Sequence, residues 1–269
     1  MMADIGSFAQ GRMLAEVHGG IGIVTFNQPE KHNAITVEMW EGLGEIMDRL
    51  DTDTAVRVVV LRGAGERAFV SGGDISQFGT TRANYEVQQR FAARVAAGRR
   101  AIARCSKPTI AAIRGYCLGG GLNIALQADL RLATENSIFG IPAARLGIAY
   151  GFEGLRALAA LVGPAHARMI MFSADRFGAT EAARIGLINR ALPVDAWWDE
   201  VMVLAGHIAD NAPISIAAAK AGIEQVLRDP AERDMGLLEE FQRRSLDSED
   251  YREGRTAFLE KRKPRFIGR

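Results

Sequence analysis

The sequence predicts an α/β fold: a core of repeated strand–strand–helix turns over residues 1–195, followed by an all-helical region over 196–269. Three observations carry this. Continuous apolar strands at 56–61 and 109–113 each run into a glycine-rich turn and then a helix, the order expected of strands covered on both faces. The helical segments between them show apolar residues at spacings of three and four. Near Pro193 the character changes, and no strand-like run follows.

In order along the chain, residues 14–18 and 21–26, joined across Gly19-Gly20, read as a β-hairpin. Thr36 caps a helix whose Met39, Leu43, Ile46, Met47 and Leu50 share one face. The strand at 56–61 leads to Ser71-Gly72-Gly73-Asp74, and a helix from about 85 to 105 follows. Phe91, Val95 and Ile102 mark that helix's buried stripe, and arginines mark the other side. Pro108 ends the helix and opens the strand at 109–113, which leads to Gly119-Gly120-Gly121 and a short helix over 122–127. Strands at 130–133 and 137–139 continue the pattern. The tail divides into helices near 196–209, 214–228, 234–246 and 249–262, broken at Pro213, Pro230 and Asp247-Ser248. Such a tail serves either as a subunit interface or as a cover for the core.

Composition narrows the function. Apolar residues make up 48% and charged residues 24% of the 269, with a formal net charge of +1, which offers no footprint for nucleic acid. The basic run at 261–265 is the local exception, a solvated terminus or a contact for a phosphorylated ligand. Two cysteines, Cys105 and Cys117, have no CxxC spacing, and the four histidines are scattered, so neither a disulfide nor a metal site is expected. The start of the chain lacks a basic, then apolar, leader, and no apolar run reaches 18 residues; a cytoplasmic location and no membrane span are expected.

The two glycine turns have two readings. They are ordinary strand-to-helix connections, or they aim two backbone N–H groups at one oxygen as an oxyanion hole does. Neither is followed by Gly-Lys-Ser/Thr and neither fits GxGxxG on an early strand, which removes phosphate-loop and dinucleotide readings.

Taken together, the motifs resemble the enoyl-CoA hydratase/isomerase family, the crotonase superfamily, over nearly the whole chain. The resemblance rests on KHNA at 31–34, RAFVSGGDI at 67–75, KPTIAAIRGYCLGGG at 107–121, ADLR at 128–131, FGIP at 139–142, LGI at 146–148, AARIGLIN at 182–189 and REGRTAFLEKRK at 252–263. It implies a crotonase-like β-β-α spiral core, a helical trimerisation region, and a homotrimer or dimer of trimers. It also implies stabilisation of a thioester enolate by the amides of Gly73 and Gly120. No separate cofactor is implied, since coenzyme A is part of the acyl-CoA substrate. Its adenine and pantetheine are expected near Lys31, Asn33, Ala34, Ala68, Ser71 and Asp74. Phe258 and Lys261 of the tail are expected toward the acyl chain and the nucleotide, either within one chain or across a subunit boundary.

The sequence also departs from the family. A hydratase uses two glutamates, one as base on water and one as acid at the α-carbon; the matching positions here are Asn123 and Ala143. Tyr150 matches by spacing a tyrosine of the methylmalonyl-CoA decarboxylase branch, although that branch carries a histidine where Gly73 stands. Glu153 is either a relocated acid/base or a charge favoured by the start of a helix. Tyr150 is either a proton donor or a packing aromatic. Asn123 either orients water or a substrate carbonyl, or caps a helix. Gly151 falls where the dehalogenases and dienoyl isomerases carry aspartate. The expectation is an acyl-CoA-transforming lyase or isomerase that lacks the standard glutamate pair. The alternatives are a malonyl-type decarboxylase using Tyr150 and a non-catalytic acyl-CoA-binding protein.

Overall fold

A computed structural model describes residues 2–74, 77 and 85–269; Ile75, which ends the motif at 67–75, lies outside them. The α/β fold is built from two sheets. Seven strands form the first, in the order β1 (Met2–Phe8), β2 (Met13–His18), β3 (Ile21–Phe26), β4 (Val58–Gly63), β6 (Thr109–Ile113), β8 (Leu130–Thr134), β11 (Arg190–Leu192). The second has the order β10 (Phe177–Gly178), β9 (Ile138–Gly140), β7 (Tyr116–Leu118), β5 (Ala68–Val70).

The pairing shows the spiral directly. β4, β6 and β8 lie parallel in the large sheet, and β5, β7 and β9 lie parallel in the small one. Each turn therefore gives one strand to each sheet and then a helix: α2 (Tyr85–Arg104) after β5, α3 (Gly120–Ala125) after β7, and α4 (Phe152–Ser173) after β9. α1 (Val37–Thr52) starts at Thr36, whose hydroxyl accepts the Met39 N–H. α4 bends at Gly163-Pro164, where Gly163 has φ 72°.

The buried strands alternate between two cores. Val59, Leu61, Ala111, Ile113 and Ala133 face α1, α2 and the small sheet, whereas Val58, Val60, Ile110, Ala112 and Leu132 face the other way. That second face is covered by α6 (Trp197–Ala209) through Trp197, Val201 and Ala205. By packing, then, the first helix of the 196–269 region completes the core. The helices beyond it, α7 (Pro213–Val226), α8 (Met235–Asp247) and α9 (Glu249–Glu260), follow the short α5 (Ala179–Arg184) and α6 in sequence and are largely exposed. Among the described residues no single helix is long and apolar enough to cross a membrane.

The sequence reading omits β1. Asp4, Gly6 and Ser7 interrupt any apolar alternation there, and the strand pairs only with β2, around an irregularity at Asp4/Gly6; an edge strand bearing polar residues leaves little signal.

Candidate active site

The site is assembled where the two glycine turns meet. Ile35 makes an isolated parallel bridge with Gly73. Its N–H donates to the Gly72 carbonyl at 2.8 Å, and its carbonyl accepts from the Asp74 N–H at 3.0 Å. Ile35 thus occupies the neighbours of Gly73 and leaves the Gly73 amide directed to the opposite side of the strand. Across from it, Gly119 precedes α3 with φ 49° and ψ −109°, a conformation that glycine reaches without strain, and Gly120 is the first helical residue. A methyl group on Gly120 would sit 3.4 Å from the Gly73 nitrogen. Among the described residues, neither the Gly73 nor the Gly120 amide has a hydrogen-bond acceptor. Gly121, the next residue, abuts the Val70 carbonyl so closely that a side chain there would collide with β5, which locks the second turn against the first.

Tyr150 and Asn123 stand beside this pair. Both pack over Gly154 in the first turn of α4, where an added methyl would lie 2.5 Å from Tyr150 Cε1 and 3.0 Å from Asn123 Nδ2. The Tyr150 hydroxyl donates to the Gly119 carbonyl across 3.5 Å. Burial pushes the phenol pKa up to about 12, against smaller opposing effects from the Asn123 amide and the Arg99 positive charge. Tyr150 is therefore a protonated donor at neutral pH. Asn123 keeps a buried Oδ1 without a hydrogen-bond partner, an open acceptor in a dry place. Ala143 is buried in the first core and offers no proton-transfer group.

Glu153 follows Tyr150 by three residues, in the first turn of α4, where a negative charge is favoured. Its carboxylate accepts from Arg156 at 3.0 Å, and its side chain is 55% exposed.

The loop before α1 forms a second region. Asn33 is fully buried. Its Nδ2 donates to the Ala64 and Ala68 carbonyls at 3.0 and 2.8 Å, and its Oδ1 accepts from the Gln28 N–H at 2.9 Å. Both amide hydrogens are spent on the protein, so Asn33 shapes the loop instead of presenting its amide to a ligand. The Ala34 carbonyl accepts from Gln28 Nε2, and the Ser71 N–H donates to the His32 carbonyl. Lys31 Nζ donates to Asp74 Oδ2 at 3.0 Å, with the lysine half-exposed and the aspartate nearly buried. Asn33 and Ala68, together with Pro29, Gly65 and Arg67, line a cavity of about 360 Å³. Phe258 is 83% exposed, and Lys261 is exposed at the end of α9.

Replacing Asn33 tests the loop's design. Its φ is +54°, so Asn33→Ala combines the loss of three hydrogen bonds with strain, whereas Asn33→Gly loses the bonds alone. Urea denaturation is expected to show Asn33→Ala destabilised by about 3–4 kcal/mol and Asn33→Gly by about 2–3 kcal/mol. Equal losses would remove strain from the account.

The sequence reading missed Arg99. It assigned the arginines of α2 to the outer side, but Arg99 is half-buried and its charge acts on Tyr150. The available signal was local: at three and four residues to either side stand Val95, Ala96, Ile102 and Ala103, none of which can pair with a guanidinium. Among the described residues no group of three or more His, Cys, Asp or Glu side chains is placed to hold a metal.

Comparison with known proteins agrees with this architecture. A family model described as enoyl-CoA hydratase/isomerase matches residues 16–269. The short-chain-enoyl-CoA hydratase of Clostridium acetobutylicum is 33% identical over 93% of this chain and 95% of its own. The carnitinyl-CoA dehydratase of Proteus mirabilis is 34% identical over 93% of this chain and 96% of its own. The crystal structure of an enoyl-CoA hydratase/carnithine racemase from Magnetospirillum magneticum superposes with a TM-score of 0.94 at 35% identity, covering 99% of both chains. With its spiral of paired sheets and a family match running from the second strand to the last residue, the chain belongs to the enoyl-CoA hydratase/isomerase family, the crotonase superfamily.

Proposed function

We propose that this enzyme of the family acts on an acyl-CoA thioester by stabilising its enolate between the Gly73 and Gly120 amides, with Tyr150 delivering the proton. One observation carries the reading: two neighbouring amides that have no acceptor among the described residues. Negative charge developing on a thioester oxygen is the species such a pair favours over the neutral carbonyl. The nucleotide end of coenzyme A lies in this reading along the 29–34 loop and the cavity beside Ala68, with Lys31 and Arg67 near its phosphates. The assembly is a homotrimer or dimer of trimers. In it the apolar residues now open to solvent, including Phe172, Phe258 and Leu259, are covered, and Phe258 and Lys261 reach a neighbouring subunit's ligand.

The proton inventory favours one branch. Asn123 and Ala143 cannot exchange protons, and Glu153 is held in a pair with Arg156. Water addition needs a base and an acid, whereas loss of CO2 from a malonyl-type thioester needs one donor. In that step the bond between the α-carbon and the carboxylate breaks and its electron pair becomes the enolate. CO2 leaves, the Tyr150 O–H protonates the α-carbon, and solvent returns the proton to the phenolate.

A mass-spectrometric screen of enoyl-, 3-hydroxyacyl- and carboxyacyl-CoA thioesters tests this, run beside Tyr150→Phe and with the particle mass read by light scattering. A loss of 44 mass units from a carboxyacyl-CoA, as CO2 requires, is expected in the wild type and strongly slowed in the variant. Binding of every thioester with no turnover of any would establish a non-catalytic acyl-CoA-binding protein instead.

A further inference from the structure

α9 is fixed to the protein more by hydrogen bonds than by packing. Of its twelve residues only Asp250 and Ala257 are buried. The chain that follows turns back along it, and residues 262–269 are tied down at several points. Asp250, 2% exposed, accepts from the Ile267 and Gly268 N–H groups at 2.7 and 2.9 Å. The Arg269 carbonyl accepts from the Glu249 N–H at 2.7 Å. Glu253 accepts from the Arg262 guanidinium through both oxygens, at 2.6 and 2.9 Å, and from the Arg265 N–H at 2.8 Å. Bonds of this kind, to an ionised carboxylate, are about twice as strong as neutral ones. The segment also reaches the rest of the fold. Lys263 pairs with Asp210 at the end of α6, and a methyl on Gly268 would lie 3.1 Å from Arg57 Nη1 and 3.5 Å from Pro213 Cγ.

Lys261 stands at the turn between α9 and this segment. Its φ of 55° and ψ of 37° are left-handed, a conformation that glycine takes at helix ends and that costs other residues about 1–2 kcal/mol. The helix dipole favours a cation at this end by about 0.3–1 kcal/mol, which does not by itself offset the strain. The side chain is exposed, so core packing does not account for a lysine here either. Backbone strain persists where the surroundings fix it, and it clusters at ligand contacts. Here the surroundings act from the next residue: the Arg262 N–H donates to the Ala257 carbonyl at 3.0 Å, while its guanidinium is held by Glu253.

We propose that Asp250 and Glu253 are positioning residues: they fasten residues 262–269 as a strap that presets Lys261 for the nucleotide end of an acyl-CoA bound in the neighbouring subunit. This rests on the acyl-CoA reading of the site and adds to it the groups that hold one of its contacts in place. A lysine fixed before the ligand arrives loses less freedom on binding, so the strap contributes affinity without touching the ligand.

Calorimetric titration with butyryl-CoA tests it in the wild type, Asp250→Asn, Glu253→Gln, Lys261→Gly, and Lys261→Gly combined with each of the other two. The amides keep the size of the carboxylates but set an NH2 group against a backbone N–H or a guanidinium, and glycine keeps the left-handed turn while removing the ammonium group. Lys261→Gly is expected to weaken binding about ten-fold, and Asp250→Asn and Glu253→Gln each about three-fold or more. In the Lys261→Gly background neither amide is expected to weaken binding further, because both act through the lysine. Binding equal to Lys261→Gly alone also shows that the combined variants are folded. Losses that add to that of Lys261→Gly would reveal a general structural role and overturn the proposal, as would amide variants that bind like the wild type. Lys261→Gly binding like the wild type would overturn both the strap's role and the nucleotide contact. Failure of the wild type to bind butyryl-CoA would overturn the acyl-CoA reading itself.

Discussion

Gly120→Pro is expected to lower kcat/KM by a factor of about 10²–10³ relative to Gly120→Ala, while the two variants melt at similar temperatures. The two variants share an added Cβ, 3.4 Å from the Gly73 nitrogen, 3.5 Å from the Gly72 carbonyl carbon and 3.6 Å from Ile35 Cγ2, which is close to ordinary contact. Proline alone replaces the N–H with a ring carbon, so it removes the donor and fills the space that the donor faced. The backbone accepts it because Gly120 is the first residue of α3, where proline is favoured and the amide has no helical acceptor. Gly119, with ψ −109°, lies outside the helical conformation that a following proline disfavours. If the Gly120 amide holds a thioester oxygen, proline removes about 2.7–4 kcal/mol of transition-state stabilisation. Equal activity of the two variants would show that this amide takes no part.

The legibility of this site follows from the range over which each feature is determined. The glycine turns were readable because their constraints are local. Gly119 needs a backbone conformation that other residues resist, and Gly121 needs room beside β5. The strand parity was readable for the same reason, since Val58 to Leu61 alternates between two buried faces. The four tail helices fall within a few residues of their expected bounds because proline, aspartate and serine mark their ends. What sequence could not give was the direction of side chains that long-range packing decides. Asn33 sits where the family resemblance puts a ligand contact, yet its amide is consumed by carbonyls about thirty residues away. Glu153 and Tyr150 are three residues apart, yet Glu153 pairs with Arg156 along α4 and Tyr150, just before the helix, packs over Gly154.

These placements have a common electrostatic sense. A standard hydratase site holds two carboxylates and needs them near neutral pKa. At the positions that the resemblance gives to those carboxylates stand Asn123 and Ala143. Among the described residues, Tyr150, the Asn123 side chain and the Gly73 and Gly120 amides gather where the two glycine turns meet. Under the proposed function, the phenol and the two amides are donors that favour negative charge developing on the thioester oxygen.

Tyr150→Phe is the second substitution with a large expected effect: a fall in kcat of about 10²–10⁴ with little change in KM, the signature of a lost proton donor in a site whose binding surfaces are intact. Its pH dependence separates this role from simple packing. Burial raises the phenol to about 12, above the value of about 10 for a free tyrosine. The folded state therefore holds this proton more tightly than the unfolded chain does. The associated stability is fully present below pH 10 and is lost as pH rises from 10 toward 12. Cys105, also raised to about 12 by burial and by Asp51, contributes a loss in the same direction. Tyr150→Phe is thus expected to flatten, without abolishing, the alkaline decline in stability measured by urea denaturation between pH 9 and 11. The wild-type kcat is expected to show no alkaline limb from Tyr150 below pH 10, because the donor remains protonated there. A packing tyrosine would give the flattened stability curve with an unchanged kcat. A kcat limb that appears near pH 8 in the wild type and persists in Tyr150→Phe would assign the proton to another group.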